Sequence, residues 1–125
     1  MRILVAEDDD TIRQLMVTLL KRAGMECVTA ENGRKAVEAW EREPFDLVIM
    51  DVQMPVMDGL TATRLIREKE LQTGRRTPII AITAHAMSED KDLCFDAGMD
   101  DYLPKPIDVE RLFTLLSRDY SKHAG

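Results

Sequence analysis

No apolar run in this chain approaches the ~20 residues needed to cross a bilayer. The N-terminus carries no basic stretch followed by a signal-like core, so the expectation is a cytoplasmic domain with no membrane partner. Cysteine is scarce. Cys27 and Cys94 form no C-x-x-C pair and sit in ordinary apolar surroundings, which makes them small core thiols. Clustered basic charge is also missing. Formal net charge is −6, and the one arginine pair, Arg75-Arg76, lies in a glycine-containing loop. Direct nucleic-acid binding is thereby excluded, because it rests on clustered Lys and Arg neutralising phosphates. Internal repeats and low-complexity segments are absent.

What is present suits one compact domain. At 125 residues, roughly 65% of the unfolded surface can be buried, enough for a core without covalent staples. Five short apolar runs recur: Ile3-Leu4-Val5-Ala6, Cys27-Val28-Thr29-Ala30, Leu47-Val48-Ile49-Met50, Ile79-Ile80-Ala81-Ile82 and a weaker Tyr102-Leu103. The first, third and fourth are continuous rather than alternating, as strands of a parallel sheet covered on both faces should be.

Helix-period segments lie between these runs. Ile12, Leu15, Met16, Leu19, Leu20 and Ala23 follow one stripe, and Gly24 stands where a left-handed stop belongs. Ala36, Val37 and Trp40 share a face behind Asn32, a candidate N-cap. Ala62, Leu65 and Ile66 share another after Asp58-Gly59, and Leu93, Cys94 and Ala97 a third before Gly98. Asp108 can cap a last helix whose buried stripe is Val109, Leu112, Leu115 and Leu116. Five strand-helix repeats imply a doubly wound α/β sandwich around a five-stranded parallel sheet. The domain is expected over residues 1–119, with 120–125 a polar tail or the start of a linker.

In an open parallel sheet, ligands bind outside the carboxyl ends of the strands. Glu7, Asp8, Asp9 and Asp10 follow the first run, Asp51 the third, Thr83-Ala84 the fourth and Lys105-Pro106 the fifth. Glu31-Asn32-Gly33 after the second reads as an ordinary turn. Carboxylates crowded at one half-desolvated edge repel one another. A hard divalent cation, magnesium, removes that conflict and leaves room for phosphate oxygens. With one lysine and one hydroxyl on the same rim, the set is suited to phosphoryl transfer, where positioning and charge neutralisation do most of the catalysis.

Each group has a plainer use. Asp8 to Asp10 could be helix-start acids favoured by the dipole, with Asp10 the cap. Asp51 could form a turn, and Lys105 could be a solvated lysine. The conjunction of four strand ends decides between the readings.

Four segments, ILVAED from Ile3, LVIMDVQMPVMDG from Leu47, TPIIAITA from Thr77 and AGMDDYLPKP from Ala97, occur in order and cover most of the chain. Through them the sequence resembles the receiver domain of two-component response regulators, the CheY-like family. MDVQMPVMDG and the TAHAM stretch from Thr83 are most similar to receivers attached to hybrid sensor kinases. The resemblance implies a flavodoxin-like (βα)5 fold with strand order 2-1-3-4-5.

It also implies that Asp51 is the phosphoacceptor and that Asp8 ligates magnesium directly. Glu7 would act mainly through metal-held water, and the backbone carbonyl of Gln53 would be a further ligand. Thr83 would hydrogen-bond a phosphoryl oxygen and Lys105 would pair with another. Pro106 would follow a cis peptide, and Tyr102 would occupy the aromatic switch position. Gln53, Ala84 and His85 would tune the rate of resetting, although His85 could equally be an idle loop histidine.

The acidic pair here is Glu-Asp where many members have Asp-Asp, and Asp9 stands where close relatives often carry asparagine. The implied partners are a histidine kinase or a histidine phosphotransfer domain, with an output domain on a longer parent chain. A homodimer through the helix 4-strand 5-helix 5 face is a further implication. Rival readings have less support. A hydrolase on this fold would need a cap domain and a second acid, neither of which is evident. A degenerate receiver would not keep Asp8, Asp51, Thr83 and Lys105 together. A nucleotide-binding flavodoxin-like protein would need a glycine-rich loop after the first strand.

Overall fold

The computed structural model describes residues 1–84, 88–118 and 120. Five strands, β1 (Arg2–Ala6), β2 (Glu26–Ala30), β3 (Leu47–Asp51), β4 (Ile79–Thr83) and β5 (Asp101–Pro104), form one parallel sheet in the order β2-β1-β3-β4-β5. Five helices alternate with them: α1 (Asp10–Arg22), α2 (Gly33–Arg42), α3 (Gly59–Thr73), α4 (Ser88–Ala97) and α5 (Val109–Leu116). None of these is long and apolar enough to cross a membrane.

Alternation along each strand divides the core into two layers. Ile3 and Val5 of β1, Leu47 and Ile49 of β3 and Ile80 and Ile82 of β4 pack with Met16 and Leu20 of α1 and Leu112, Leu115 and Leu116 of α5. Leu4 and Ala6, Val48 and Met50, and Ile79 and Ala81 face the other way onto α2, α3 and Cys94 of α4. Because both faces are covered, β3 and β4 are buried at every position, which explains their unbroken apolar runs. β2 lies at an edge and stays partly exposed.

Side-chain caps start four of the helices. Asp9, Asn32, Asp58 and Asp108 each accept from a backbone N–H in the first turn that follows. The cap of α1 is Asp9, not Asp10. Asp9 is still extended and its Oδ1 accepts from Ile12 N–H at 3.0 Å, whereas Asp10 is already helical and pairs with Arg13. Gly24 follows α1 in the left-handed region at φ +80°.

Three large side chains expected in the core face solvent instead, as does Ala23 at the end of its stripe. Leu15, Leu93 and Val109 are exposed, although neighbours on the same helices are buried. Hydrophobic spacing fixes the direction of a buried stripe, not its width, and these three lie at its margin. Val109 is also the first residue of its helix. Tyr120, beyond the last helix, is buried in the α1–α5 layer, and its hydroxyl donates to the carbonyl of Leu115 at 2.8 Å. Residues 119 and 121–125 of the expected domain end and tail lie outside the described residues.

Candidate functional site

The sheet order reverses direction between β1 and β3, and the ends of these two strands bring the acids together. Glu7, Asp8 and Asp51 each offer a carboxylate oxygen, and these oxygens lie within 4.8 Å of one another. Asp51 is the last residue of β3, registered beside Ile82, and Val52 N–H continues the ladder to the Ile82 carbonyl at 2.9 Å. Its carboxylate is buried. Oδ1 accepts from Gln53 N–H at 3.0 Å, and Oδ2 accepts from the Lys105 ammonium at 2.9 Å.

Close packing behind the carboxylate depends on Gly59. The loop from Asp51 closes through Gly59 N–H to the Val52 carbonyl at 2.9 Å, and a Cβ on Gly59 would collide with the Asp51 carbonyl. The Asp-Gly that starts α3 therefore also braces the site, a use that capping alone did not reveal.

Glu7 is fully buried. Its N–H continues the sheet to the Ala30 carbonyl at 3.0 Å, and its Oε2 accepts from Asp9 N–H at 3.1 Å. Oε1 lies 3.1 Å from the Lys105 ammonium, close enough for charge attraction, yet it has no hydrogen-bond partner among the described residues. Burial, then the neighbouring Asp51, pushes the Glu7 carboxyl up to about 8. Lys105 is half-buried. Burial lowers its affinity for a proton, but Asp51 and Glu7 together outweigh that and raise its pKa above the ordinary lysine value.

Thr83 ends β4 and is buried, and its carbonyl accepts from Lys105 N–H at 2.8 Å, so hydroxyl and ammonium arise from adjacent strand ends. The Lys105-Pro106 peptide is cis. Ala84 and Gln53 are exposed at the rim, and His85 lies outside the described residues.

Tyr102 of β5 is half-buried, with the Lys91 ammonium 4.6 Å and the Arg111 guanidinium 5.2 Å from its ring centre and Phe95 edge-on at 6.5 Å. The ammonium of Lys91, then the Arg111 guanidinium, hold its hydroxyl below the ordinary tyrosine range against a smaller opposing effect of burial.

The acid cluster fits a hard divalent cation. All its donors are oxygens, one of them is buried without a hydrogen-bond partner among the described residues, and the metal-free alternative is a carboxyl forced to keep its proton. Phosphate oxygens suit the same edge, where the Lys105 ammonium stands beside Asp51.

Residues 3–117 match the model for the response regulator receiver domain. The chain belongs to the receiver-domain family.

Across 127 residues the receiver is 38% identical to hybrid signal transduction histidine kinase I of Dictyostelium discoideum, covering 98% of the receiver but 7% of that kinase. Among solved structures it is similar to the receiver domain of the sensor histidine kinase PA1611 from Pseudomonas aeruginosa, which has a magnesium ion in its active-site cleft. That match has 40% identity, a TM-score of 0.85 and 94% coverage of both chains. A chain from the Saccharomyces cerevisiae complex of the phosphotransfer protein Ypd1 with the receiver of Ssk1 matches at 30% identity and a TM-score of 0.89. There the match covers 94% of this receiver and 86% of that chain. The receiver thus joins a (βα)5 fold to an acid cluster suited to phosphoaccepting two-component signalling, with a divalent cation. Its residues fit self-catalysed gain and loss of phosphate rather than turnover of a separate substrate.

Proposed function

We propose that Asp51 accepts a phosphoryl group from a phosphohistidine on a histidine kinase or histidine phosphotransfer domain, and that magnesium is the cation. One observation carries this reading: a buried strand-end carboxylate with two further acids and an ammonium gathered around it. Asp8, Asp51, the Gln53 carbonyl and, less directly, Glu7 would hold the ion. When bound, magnesium neutralises charge on the phosphoryl oxygens.

The other groups follow from position. An Asp51 oxygen attacks phosphorus as the P–N bond to the donor imidazole breaks, and the bonding electron pair leaves with the nitrogen. Lys105 balances charge on one phosphoryl oxygen and the Thr83 hydroxyl donates to another. Resetting is attack by water on phosphorus, which returns the carboxylate and releases inorganic phosphate. Ala84 leaves an approach for that water, while Gln53 and His85 set its rate. Drawing Thr83 toward the phosphoryl group lets Tyr102 turn inward and changes the α4–β5–α5 surface. That surface is our candidate for a homodimer contact, supported by the exposure of Phe95 and Val109 and by Lys91 and Arg111 set over the Tyr102 ring. Because the receiver spans so little of its hybrid-kinase relatives, we place it within a longer signalling chain with an output elsewhere.

Incubation with phosphoramidate and magnesium, followed by mass mapping, tests the assignment. One phosphate on Asp51 is expected, with none in Asp51→Asn. Phosphate elsewhere with Asp51 untouched overturns it.

A further inference from the structure

We infer that Arg13 is a positioning residue for the acidic pair, acting through the backbone of the turn between β1 and α1; this rests on the metal-site reading above. Arg13 is the fourth residue of α1. Its Nη1 donates to the Glu7 carbonyl at 2.8 Å and approaches the Asp8 carbonyl at 3.5 Å. Its own N–H donates to the Asp9 carbonyl at 2.9 Å, and Nη2 pairs with the Asp10 carboxylate. The bond to Asp9 is the ordinary first helical one, so what the side chain adds is a guanidinium set against the Glu7 and Asp8 carbonyls and the Asp10 carboxylate.

This matters most for Asp8. Glu7 is held by burial, by its N–H in the sheet and by the bond from Asp9 N–H. The Asp8 carboxylate is exposed and has no hydrogen-bond or ion-pair partner among the described residues. Its direction is set by the peptide planes on either side of it, and those planes are what the guanidinium grips. Past the end of β1, the Glu7 and Asp8 carbonyls have no backbone donor among the described residues, and the guanidinium is what faces them. A planar fork with several N–H groups can span adjacent carbonyls and a carboxylate at once, which a point-charge ammonium cannot.

Charge and positioning make opposite predictions. Arg13 is a cation beside a site for a cation, so on charge alone its loss should tighten magnesium binding. As a positioning residue its loss should weaken binding, despite the removed repulsion. Lysine separates the two, because it keeps the charge and loses the fork.

The experiment is calorimetric titration of the full chain with magnesium chloride, using wild type, Arg13→Met and Arg13→Lys. Urea melts in EDTA establish that each variant is folded. Both variants are expected to bind magnesium about ten- to a hundredfold more weakly, as for losses of groups that orient metal ligands. The magnesium concentration for half-maximal labelling by phosphoramidate should rise in parallel, while the rate at saturating magnesium falls less. Unchanged or tighter binding by Arg13→Lys overturns the inference, and that variant alone decides if Arg13→Met does not fold. Wild type that takes no magnesium overturns the metal site itself, a result distinct from wild-type binding with indifferent variants.

Discussion

Glu7 must hold either a proton or share a cation, and pH selects between them. With its carboxyl pushed from the ordinary 4.5 to about 8 by burial and by Asp51, Glu7 keeps a proton in the metal-free fold at neutral pH. Its contribution to metal-free stability is fully present below pH 4.5 and is lost as pH rises through about 8. A divalent ion must displace that proton. Apparent magnesium affinity should therefore climb by up to about tenfold per pH unit toward 8 and level off above it. Titrations at pH 6, 7, 8 and 9 measure the slope, and Glu7→Gln should flatten it. A slope that survives in Glu7→Gln would assign the proton to another group.

Val56 poses a separate residue-scale question. It is β-branched and exposed, yet sits at φ +70°, with Met57 N–H donating to the Pro55 carbonyl at 2.7 Å across it. A hydrogen bond between residues two apart around a positive φ makes a γ-turn of the rare, strained kind, and glycine, with no Cβ, adopts it at the least steric cost. Val56→Gly should stabilise the fold by about 1 kcal/mol in urea unfolding, since few contacts are lost. An unchanged midpoint would show the turn to be unstrained.

Between elements, the far edge of the sheet is tied by one arginine. Arg67 of α3 donates to the carbonyls of Thr77 and Gly98, each at 2.8 Å, to Glu70 at 2.6 Å and to Asp100 at 2.8 Å. Asp100 also accepts from Arg76 and from Ile79 N–H, and Trp40 of α2 reaches the Thr77 hydroxyl at 3.0 Å. α2, α3, the start of β4 and the approach to β5 are thereby joined. Both acids are nearly inaccessible, so removing their shared partner leaves charge buried and underpaired. Arg67→Met should cost about 3 kcal/mol, read from a lower urea midpoint at unchanged slope. A loss within a few tenths would mean that Arg76 and the backbone donors suffice.

This network also marks where sequence reading stops. The strands were legible because a sheet covered on both faces demands unbroken apolar runs, and the acids because they stand at strand ends. Arg13 and Arg67 look in sequence like ordinary helix arginines on a solvated face; only the fold brings carbonyls from other segments to them. Leu15, Leu93 and Val109 have the right spacing for a buried stripe but lie beyond its edge. Nothing in a valine announces a positive φ.

At the scale of the whole molecule, the sheet has a reactive end and a tied end. The acid cluster, Thr83 and Lys105 lie beyond the carboxyl ends of the strands, and the Arg67 network lies at the amino ends of β4 and β5. Moving a receiver from mostly off to mostly on takes about 5.5 kcal/mol of differential stabilisation. New charge-assisted bonds at the reactive end are of the strength to provide it. A displacement driven there should pivot about the tied end. Hydrogen exchange with and without phosphoramidate and magnesium measures this. Amides around Thr83 and along β5 and the adjoining faces of α4 and α5 should change protection. Those of Thr77, Ile79 and Gly98 should not, because the bonds that hold them are made to side chains of the tied network or lie beside them. Phosphorylation that exposes Ile79 and Gly98 as much as Thr83 would mean that β4 and β5 shift as a whole, with no fixed end.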